Sequence, residues 1–262
     1  MAIMISSLAN TKVKYVRRLQ TEKRFRLREN AFVVEGTRWI TELIQLVRVP
    51  EISFYTDEWL NTADNGPILQ QLAGTKQVVT DEVMRAMSDT QTPPGILAVL
   101  PVQSLPWPKQ PSLLLVLDQV TNPGNLGTIL RTAGAAGVEG VILGPGCVDA
   151  YNPKTVRGGM GAHLRLPLHT ADWPEIEQMV QGLSVWLAAA DGDRTYTAVP
   201  WTQPAALIIG GEARGAGDQA WKLATAPIAI PMHAATESLN AAIAAAVILF
   251  EAARQRKEAS SK

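Results

Sequence analysis

Apolar and polar residues follow one another in blocks along the chain, and the blocks predict strands and helices in alternation. Within the first hundred residues, four short apolar runs are typical of strands: AFVVE at 31–35, ISFY at 52–55, KQVVT at 76–80 and GILAVL at 95–100. Helical periodicity is found between them, near 10–28, 37–47 and 82–88, with one more helical region before residue 76. Strands that alternate with helices predict a small α/β domain.

A longer series of apolar runs follows residue 111. These runs are bounded by turn residues and lie at 113–118, 140–144, 185–190, 205–210 and 226–231. Continuous apolar strands are typical of a parallel sheet that helices cover on both faces. The predicted helices lie at about 125–137, 173–182, 217–223 and 239–256, and we expect the tail RQRKEASSK to fray. The predicted fold class is therefore α/β, with a C-terminal parallel-sheet domain behind a smaller one.

Four prolines between the two series predict a domain boundary: Pro101, Pro106, Pro108 and Pro111. Proline removes a backbone donor and fixes φ, so neither a helix nor a central strand is expected to run through this segment. We predict a smaller N-terminal domain over 1–100, a linker over 101–111 and a larger domain over 112–262.

Charge is balanced over the whole chain but uneven along it. The sequence has 24 basic and 24 acidic side chains, yet residues 1–50 carry ten Lys or Arg and four Glu, a net charge of +6, which leaves −6 on the remainder. This asymmetry predicts either a surface for a polyanion or a basic helix that is merely solvated. The candidate phosphate contacts are Lys12, Lys14, Arg17, Arg18, Lys23, Arg24, Arg26 and Arg28.

Composition disfavours several classes of protein. The single cysteine, Cys147, forms no intramolecular disulfide and fits a reducing cytosol, so we expect a cytoplasmic location. The N-terminus has no signal-peptide pattern, and the longest apolar run, 241–250, is too short to cross a bilayer. The three histidines lack metal-ligand spacing, so we expect no metal site.

Three loops follow predicted strands at the edge where an open parallel sheet binds its ligands. Their notable polar residues are Asn125 and Arg131 in the first loop, Glu212 in the second, and Ser238 and Asn240 in the third. Asn125, Ser238 and Asn240 could each simply cap a helix. Arg131 needs solvent or an anion, because an unpaired charge is costly to bury. Each loop taken alone is more often structural than functional.

Together the three loops resemble the signature motifs of the SpoU (TrmH-like) family of RNA 2′-O-ribose methyltransferases. The matching residues are D-x-V-x-N-P-x-N-x-G-x-I-x-R-T-A-x-A-x-G at 118–137, I-G-G-E-A-R-G at 209–215, and I-P-M with E-S-L-N at 230–232 and 237–240. Upstream, FVVEGTR at 32–38 and SDTQTPPGILAV at 88–99 are similar to that family's accessory substrate-binding domain. The resemblance covers nearly the whole chain.

The resemblance implies an enzyme that transfers a methyl group from S-adenosylmethionine to a ribose 2′-hydroxyl in RNA. The implied active-site set is Asn125, Arg131, Glu212, Ser238 and Asn240. The implied S-adenosylmethionine contacts are Ala188, Ala189, Ala190, Gly210, Gly211, Ile230, Met232, Ser238 and Leu239. Because a guanidinium stays protonated, we expect Arg131 to hold the phosphate beside the target ribose. That phosphate, Glu212 or water could accept the hydroxyl proton.

The resemblance also implies a deep trefoil knot in the C-terminal domain and a homodimer whose active site is completed across the interface. The accessory domain favours ribosomal RNA over transfer RNA as the substrate. This chain departs from the family pattern at Ala234, where glycine is frequent, and at Ala242 and Gly159, where serine is frequent. We expect Ala234 and Ala242 to affect the fine detail of the donor pocket.

Other functions stay open on the sequence alone. A catalytically silent RNA-binding module of the same fold would keep the basic end without methyl transfer, although the five residues of the active-site set are all present. A transfer-RNA 2′-O-methyltransferase would carry the same motifs. A nucleotide-dependent oxidoreductase would need a GxGxxG turn between a strand and a helix, and no glycine cluster in the sequence matches it.

Overall fold

The computed structural model describes residues 3–233 and 238–261. Within it the chain forms two compact units. The N-terminal unit consists of Met1–Gln103 and Tyr151–Leu164, and the C-terminal unit of Ser104–Ala150 and Arg165–Lys262. The chain thus first leaves the N-terminal unit inside the proline-rich segment 101–111. Residues Tyr151–Leu164, which the sequence patterns group with the C-terminal domain, pack with the N-terminal unit.

The N-terminal unit contains a four-stranded mixed sheet with the strand order β1-β4-β2-β3. Its strands are β1 (Ala31–Glu35), β2 (Ile52–Tyr55), β3 (Thr75–Val78) and β4 (Ile96–Pro101). Strand β4 pairs antiparallel with β1 and β2, and β2 pairs parallel with β3. The first six helices belong to this unit: α1 (Thr11–Thr21), α2 (Lys23–Glu29), α3 (Thr37–Gln45), α4 (Asp57–Asn61), α5 (Asn65–Gln71) and α6 (Asp81–Met87).

Helices cover both faces of this sheet. On one face, Val33 of β1 belongs to a buried cluster with Val13 of α1. On the other face, Phe32 and Val34 belong to a cluster with Ile40 of α3. Successive side chains of a strand point to opposite faces, so burial of both faces explains why the run AFVVE is apolar almost throughout.

Arg26 is not part of the basic surface, contrary to the prediction from the sequence. Its side chain is buried, and its guanidinium donates hydrogen bonds to the carbonyl oxygens of Leu19 (2.6 Å) and Gln20 (3.3 Å). These carbonyls lie in the last turn of α1, where backbone acceptors lack partners within the helix. Arg26 therefore caps α1, whereas the other seven predicted phosphate contacts are exposed.

The C-terminal unit contains a seven-stranded sheet in which all paired neighbours are parallel. The strand order is β7-β6-β5-β10-β8-β11-β9. The strands are β5 (Leu113–Asp118), β6 (Gly140–Leu143), β7 (Leu168–Thr170), β8 (Ser184–Ala188), β9 (Arg194–Thr195), β10 (Ala205–Gly210) and β11 (Ala226–Ala229). The later helices are α7 (Pro123–Ala135), α8 (Pro153–Gly159), α9 (Trp173–Met179), α10 (Asp218–Leu223) and α11 (Ala241–Ser260), of which α8 belongs to the N-terminal unit.

Strands β5 and β10 lie side by side in the middle of this sheet and position two of the motif loops. Every residue of β5 is buried, and so is β10 up to its last residue. Asp118 and Gly210 are in register at the carboxyl ends of the two strands. The buried carboxylate of Asp118 accepts a 2.7 Å hydrogen bond from the backbone N–H of Gly217. The first and second motif loops are therefore joined at one edge of the sheet.

Helix α7 begins earlier than the sequence pattern predicts. Asn122 is its N-cap, and the side-chain oxygen of Asn122 accepts hydrogen bonds from the backbone of Gly124 (2.8 Å) and Asn125 (3.2 Å). Pro123 takes the first helical position, where a missing N–H costs nothing. Asn125 consequently lies inside the first turn, and its side chain is not needed as a cap.

The prediction that the C-terminal tail frays is wrong for the part of it that the structure describes. Helix α11 continues to Ser260. Arg254 forms ion pairs with Glu251 and with Glu258, and each pair joins residues on the same face of the helix. Arg256 donates 2.6 Å hydrogen bonds to the hydroxyl and the carbonyl of Ser112, which attaches the last turns to the sheet.

The sequence patterns miss α8, β7 and β9. Each is short, so hydrophobic periodicity gives little signal there. The α/β class with a large parallel sheet and a smaller N-terminal domain is confirmed, while the trefoil knot stays a prediction. None of the helices in 3–233 and 238–261 is long and apolar enough to span a bilayer.

Candidate active site

A cavity of about 360 Å³ lies at the carboxyl ends of β8, β10 and β11. Ligands of open parallel sheets bind at this edge. The cavity wall contains all nine residues that the family resemblance implies as S-adenosylmethionine contacts: Ala188, Ala189, Ala190, Gly210, Gly211, Ile230, Met232, Ser238 and Leu239. These residues come from separate parts of the sequence, and the parallel sheet brings them together.

The wall also contains residues that the sequence motifs do not include. Asp191 follows the alanines at the end of β8, and Trp221 projects from α10 with 43 % of its surface exposed. Ile228 and Ile248 add aliphatic surface. The position of Asp191 directly after an apolar run is the one sequence signal that could have indicated it, because such positions fall at the ligand-binding edge.

The glycine-rich loop after β10 folds back on itself along one side of the cavity. The backbones of Gly211 and Gly215 exchange two hydrogen bonds of 3.0 Å. A Cβ atom on Gly210 would lie 2.3 Å from the backbone nitrogen of Ala216, which is closer than two such atoms can approach. Gly210 is therefore required by the tight fold of the loop itself.

Three residues of the implied active-site set form one chain of hydrogen bonds. The Nδ2 atom of Asn125 donates to Oε1 of Glu212 at 2.8 Å, and Nδ2 of Asn240 donates to Oδ1 of Asn125 at 3.2 Å. The second carboxylate oxygen of Glu212 accepts from the backbone N–H (3.3 Å) and the hydroxyl (3.4 Å) of Thr121. Glu212 also lines the cavity, so the three motif loops meet at its edge.

The surroundings of Glu212 favour its ionised form. Partial burial raises the pKa of this carboxyl group, but hydrogen bonds from Asn125 and from the backbone of Glu212, Thr121 and Asn122 outweigh burial. The pKa of Glu212 therefore lies below its ordinary value. At neutral pH Glu212 is an anion, and donors hold both of its oxygen atoms in place.

Asn240 has a structural role as well as its place in the cluster. Its Oδ1 atom accepts hydrogen bonds from the backbone N–H groups of Ala242 (2.9 Å) and Ile243 (3.3 Å), which caps α11. Its Nδ2 atom is then directed to Asn125. The capping interpretation and the active-site interpretation of Asn240 are thus both satisfied by one side chain.

Ser238 and Arg131 occupy different places. Ser238 lines the cavity, whereas Arg131 is exposed on α7 and is not part of the cavity wall. Arg131 makes no hydrogen bond or ion pair with any residue in the described ranges 3–233 and 238–261. Gly124 and Thr128 precede it on the same exposed face of the helix. An exposed guanidinium without a protein partner can bind an incoming anion.

The three departures from the family pattern fall in different parts of the chain. Ala242 is buried at the start of α11. Gly159 is buried at the end of α8 in the N-terminal unit, and it does not line the cavity. Ala234 lies outside the described residues.

The Cys147 thiol is poorly suited to nucleophilic chemistry. Burial raises the pKa of Cys147 to about 11, and its Sγ atom donates a 3.3 Å hydrogen bond to the carbonyl of Leu117. Among the described residues, no group of three or more His, Cys, Asp or Glu side chains is arranged to hold a metal ion.

The cavity fits S-adenosylmethionine, the donor that the resemblance implies. Its aliphatic side chains, such as Ile230, Met232 and Leu239, offer apolar contact to a planar ring. The carbonyl oxygens of Gly210 and Gly211 can accept hydrogen bonds from the edge of such a ring, because a carbonyl has two lone pairs. The volume of about 360 Å³ falls in the range of small-molecule sites, roughly 300–1,000 Å³.

Known proteins share both the sequence motifs and this architecture. Residues 112–250 match the SpoU rRNA Methylase family, and residues 10–98 match the MRM3-like substrate binding domain. The chain is 31 % identical over 250 residues to the 23S rRNA (guanosine(2553)-2′-O)-methyltransferase RlmP of Bacillus subtilis (strain 168). That alignment covers 94 % of this chain and 97 % of the relative.

Solved structures agree with these sequence matches. The SpoU methyltransferase AviRb from Streptomyces viridochromogenes, in complex with the cofactor AdoMet, superposes with a TM-score of 0.87 at 27 % identity and covers 95 % of this chain and 98 % of that one. The A. aeolicus TrmH/SpoU tRNA modifying enzyme superposes with a TM-score of 0.51 at 27 % identity and covers 58 % of this chain and 78 % of its own. The resemblance seen in the sequence is thereby confirmed: the chain belongs to the SpoU rRNA methylase family.

Proposed function

We propose that this protein transfers the methyl group of S-adenosylmethionine to a ribose 2′-hydroxyl of ribosomal RNA. The observation that carries the proposal is the hydrogen-bonded chain Asn240–Asn125–Glu212 at the edge of the cavity. If the three loops were only separate helix caps or turns, their side chains would not need to bond to one another. Their convergence beside a small-molecule cavity is what a site for two substrates requires.

The cavity wall orients the methyl donor. S-adenosylmethionine, when bound, supplies a methyl group that is already activated for transfer. The backbone at Gly210 and Gly211 and the side chains of Ile230 and Leu239 hold the donor in one direction. Alignment of an acceptor oxygen with that methyl group can lower the barrier by roughly 7–11 kcal/mol, so positioning accounts for most of the catalysis.

The acceptor side of the proposal uses Arg131 and Glu212. Arg131 holds the phosphate beside the target ribose through a bidentate pair of hydrogen bonds. Glu212 takes the hydroxyl proton, directly or through water. A carboxylate with a lowered pKa is a weak base towards a neutral hydroxyl, but the hydroxyl becomes strongly acidic as its oxygen bonds to carbon. A weak base therefore suffices late in the step.

The N-terminal unit supports ribosomal rather than transfer RNA as the substrate. Its residues 10–98 match a substrate-binding domain, and a relative matched over 97 % of its length acts on 23S rRNA. The tRNA modifying enzyme, in contrast, covers only 58 % of this chain. The exposed cations of α1 and α2 would supply phosphate contacts. Two of them flank the Phe25 ring: the guanidinium carbons of Arg18 and Arg28 lie 3.9 and 4.7 Å from its centroid.

A homodimer is part of the proposal, and α11 supports it. Ile243 and Phe250 are seven residues apart on this helix and remain 54 % and 53 % exposed. Two large apolar side chains on one exposed face suit a symmetric contact with a second copy.

Because Arg131 is not part of the cavity wall, we propose that Arg131 of one copy serves the donor cavity of the other. A ribosomal substrate agrees with the expected cytoplasmic location.

The test is methyl transfer to defined RNA. Purified protein is incubated with methyl-tritiated S-adenosylmethionine and either large-subunit ribosomal RNA transcripts or a transfer-RNA pool. We expect label in the ribosomal transcript, at one nucleotide whose 3′ bond resists alkaline hydrolysis, because a 2′-O-methyl group removes the attacking hydroxyl. Label in transfer RNA alone would overturn the substrate assignment. RNA binding with no label in either pool would favour the silent RNA-binding module.

A further inference from the structure

A second cavity, of about 230 Å³, lies wholly within the N-terminal unit. Its wall combines apolar side chains, including Val33, Trp39 and Val156, with polar ones, including Gln20 and Glu35. We propose that this cavity binds an unpaired guanine base of the RNA substrate. The inference rests on the proposed function only in taking RNA as the ligand, because the cavity shares no residue with the donor site.

The first observation is a buried, unsatisfied acceptor in a side chain that lines the cavity. Gln20 lines the cavity and is only 9 % exposed. Its Nε2 atom donates to Oε1 of Glu35 at 2.6 Å and to the carbonyl of Met87 at 3.1 Å. Its Oε1 atom has no hydrogen-bond partner among the described residues. A buried acceptor without a donor costs about 1–3 kcal/mol, so a ligand that brings an N–H group is favoured there.

The second observation is a fixed carboxylate with room for one more donor. Oε1 of Glu35 accepts from Gln20 and from the backbone N–H of Asp89 at 2.9 Å, whereas Oε2 accepts from the hydroxyl of Ser88 at 2.5 Å. A carboxylate oxygen can accept two hydrogen bonds. Oε2 of Glu35 thus keeps one acceptor position, and the network around the carboxylate fixes its direction.

Two acceptor positions that lack donors select one base among the four. The Watson–Crick edge of guanine presents two neighbouring donors, the ring N1–H and the exocyclic amino group. Adenine and cytosine present one amino donor on that edge, and uracil presents one ring N–H, so each would leave an acceptor of the pair Gln20 and Glu35 unmatched. Bases of RNA loops that are splayed out are recognised through this edge.

The remaining walls suit the rest of a nucleotide. Trp39, Val33 and Val156 give apolar contact to the faces of a planar base. Arg157 lines the same cavity with 48 % of its side chain exposed, and it pairs with Asp89 at 3.0 Å. Because exposed ion pairs are weak, Arg157 can exchange this partner for an RNA phosphate.

The test measures nucleotide binding and needs no methyl transfer. Full-length protein with ¹⁵N-labelled tryptophan is saturated with S-adenosylhomocysteine to block the donor cavity. It is then titrated with guanosine, adenosine, cytidine or uridine 5′-monophosphate, while the indole signal of Trp39, assigned through Trp39→Phe, is followed. We expect guanosine monophosphate to shift this signal with a Kd near the millimolar range and to bind at least about tenfold more tightly than the other three.

Variants of the cavity wall distinguish a loss of nucleotide binding in the cavity from a loss of the fold. Glu35→Gln keeps the size of the side chain but replaces one acceptor oxygen with a donor, so the affinity for guanosine monophosphate should fall at least about tenfold. Thr92→Trp adds a bulky ring at an exposed position of the cavity wall without removing a side chain of the Gln20–Glu35 network, and should have a similar effect. Glu82→Gln, an exposed position on α6, is the matched control and should bind as the wild type does.

Several results would overturn the inference. Equal shifts with all four nucleotides would mean that only the phosphate is bound. A Trp39 signal that does not move, or an affinity that Thr92→Trp leaves unchanged, would mean that the cavity does not receive the base. Failure of the methyl-transfer assay alone would leave guanine binding measurable, so the two proposals fail separately.

Discussion

The side-chain amide of Asn125 donates a 2.8 Å hydrogen bond to Glu212, a residue 87 positions further along the chain. The bond connects the first turn of α7 to the glycine-rich loop after β10. It also lowers the pKa of Glu212 and leaves Oδ1 of Asn125 to accept from Asn240. Asn125 is therefore the residue through which all three motif loops are joined.

Replacing Asn125 with alanine should lower methyl transfer and leave donor binding nearly unchanged. A hydrogen bond to a charged group contributes about 1.5–3 kcal/mol, so loss of the bond to Glu212 should reduce kcat roughly 10- to 100-fold. Asn125 does not line the cavity, so the Kd for S-adenosylmethionine, measured by calorimetry, should stay within about twofold. Asn61→Ala, an exposed asparagine in the N-terminal unit, is the control. A large loss of donor affinity in Asn125→Ala would contradict this division of roles.

The same bond predicts how the site responds to acid. Because the pKa of Glu212 is lowered in the folded protein, ionised Glu212 stabilises the cluster above its ordinary pKa, and this stabilisation is lost as the pH falls through the lowered value. In Asn125→Ala the pKa of Glu212 should move up, so the loss should begin at higher pH. Carboxyl ¹³C shifts of labelled glutamate, compared between the wild type and Asn125→Ala, measure this directly. Identical titration of Glu212 in both proteins would show that Asn125 does not set its pKa.

Much of the fold follows from local sequence, because apolar runs and proline positions act over short distances. The runs AFVVE and LLLVLD coincide with β1 and β5, and the prolines of 101–111 mark where the chain first leaves the N-terminal unit. The membership of Tyr151–Leu164 in that unit could not be predicted, since it depends on contacts between distant parts of the chain. Periodicity also cannot reveal strands as short as β9.

The residues of the candidate site were predicted by resemblance, and the structure shows which of them lie together. A capping asparagine and a candidate active-site asparagine look alike in sequence, and the structure separates them: Asn122 caps α7, whereas Asn125 donates a hydrogen bond to Glu212. In the same way, a basic run does not show which of its cations are buried, and Arg26 proved to be one of them. Burial is a property of the whole fold, so charge patterns alone cannot report it.

Arg131→Ala should abolish methyl transfer while the protein keeps its stability and its affinity for the donor. Arg131 is exposed and does not line the cavity, so neither the core nor the donor contacts lose an interaction. Arg131→Lys should recover only part of the activity, because an ammonium group cannot make the bidentate contact to phosphate. Arg85→Ala, an exposed arginine on α6, is the control. The measurements are the single-turnover rate of methyl transfer and the donor affinity from titration. Equal losses of rate and of donor affinity in Arg131→Ala would contradict the phosphate role.

Arg17 and Arg26 are a matched pair for separating RNA binding from stability. Arg17 is exposed on α1, so Arg17→Ala should weaken RNA binding and reduce the slope of log affinity against log salt by about 0.7–0.9, with unchanged thermal stability. Arg26 is buried and bonded to the carbonyls of Leu19 and Gln20, so Arg26→Met should lower the free energy of unfolding by about 1.5–3 kcal/mol. Filter binding at several salt concentrations and denaturant titrations measure the two effects. An unchanged stability of Arg26→Met would return Arg26 to the RNA-facing set.

The proposed exchange of Arg131 between two copies can be tested by complementation. Arg131→Ala and Glu212→Ala should each be inactive alone. If Arg131 of one copy serves the cavity of the other, a mixed dimer of the two variants contains one site with both residues intact. Random pairing after co-expression should then restore about one quarter of wild-type activity, because half of the dimers are mixed and each has one working site.

The same experiment distinguishes a partner's Arg131 from one that acts within its own chain. If Arg131 served its own cavity, every site in the mixed dimer would lack one residue, and co-expression would restore nothing. The recovered activity should also disappear when Phe250→Glu is added to both variants, because a carboxylate on the exposed face of α11 opposes burial against a second copy. Leu27→Glu, which changes an exposed leucine of α2 instead, should leave the dimer intact in sedimentation. Recovery that survives Phe250→Glu would place the contact between copies elsewhere than on α11.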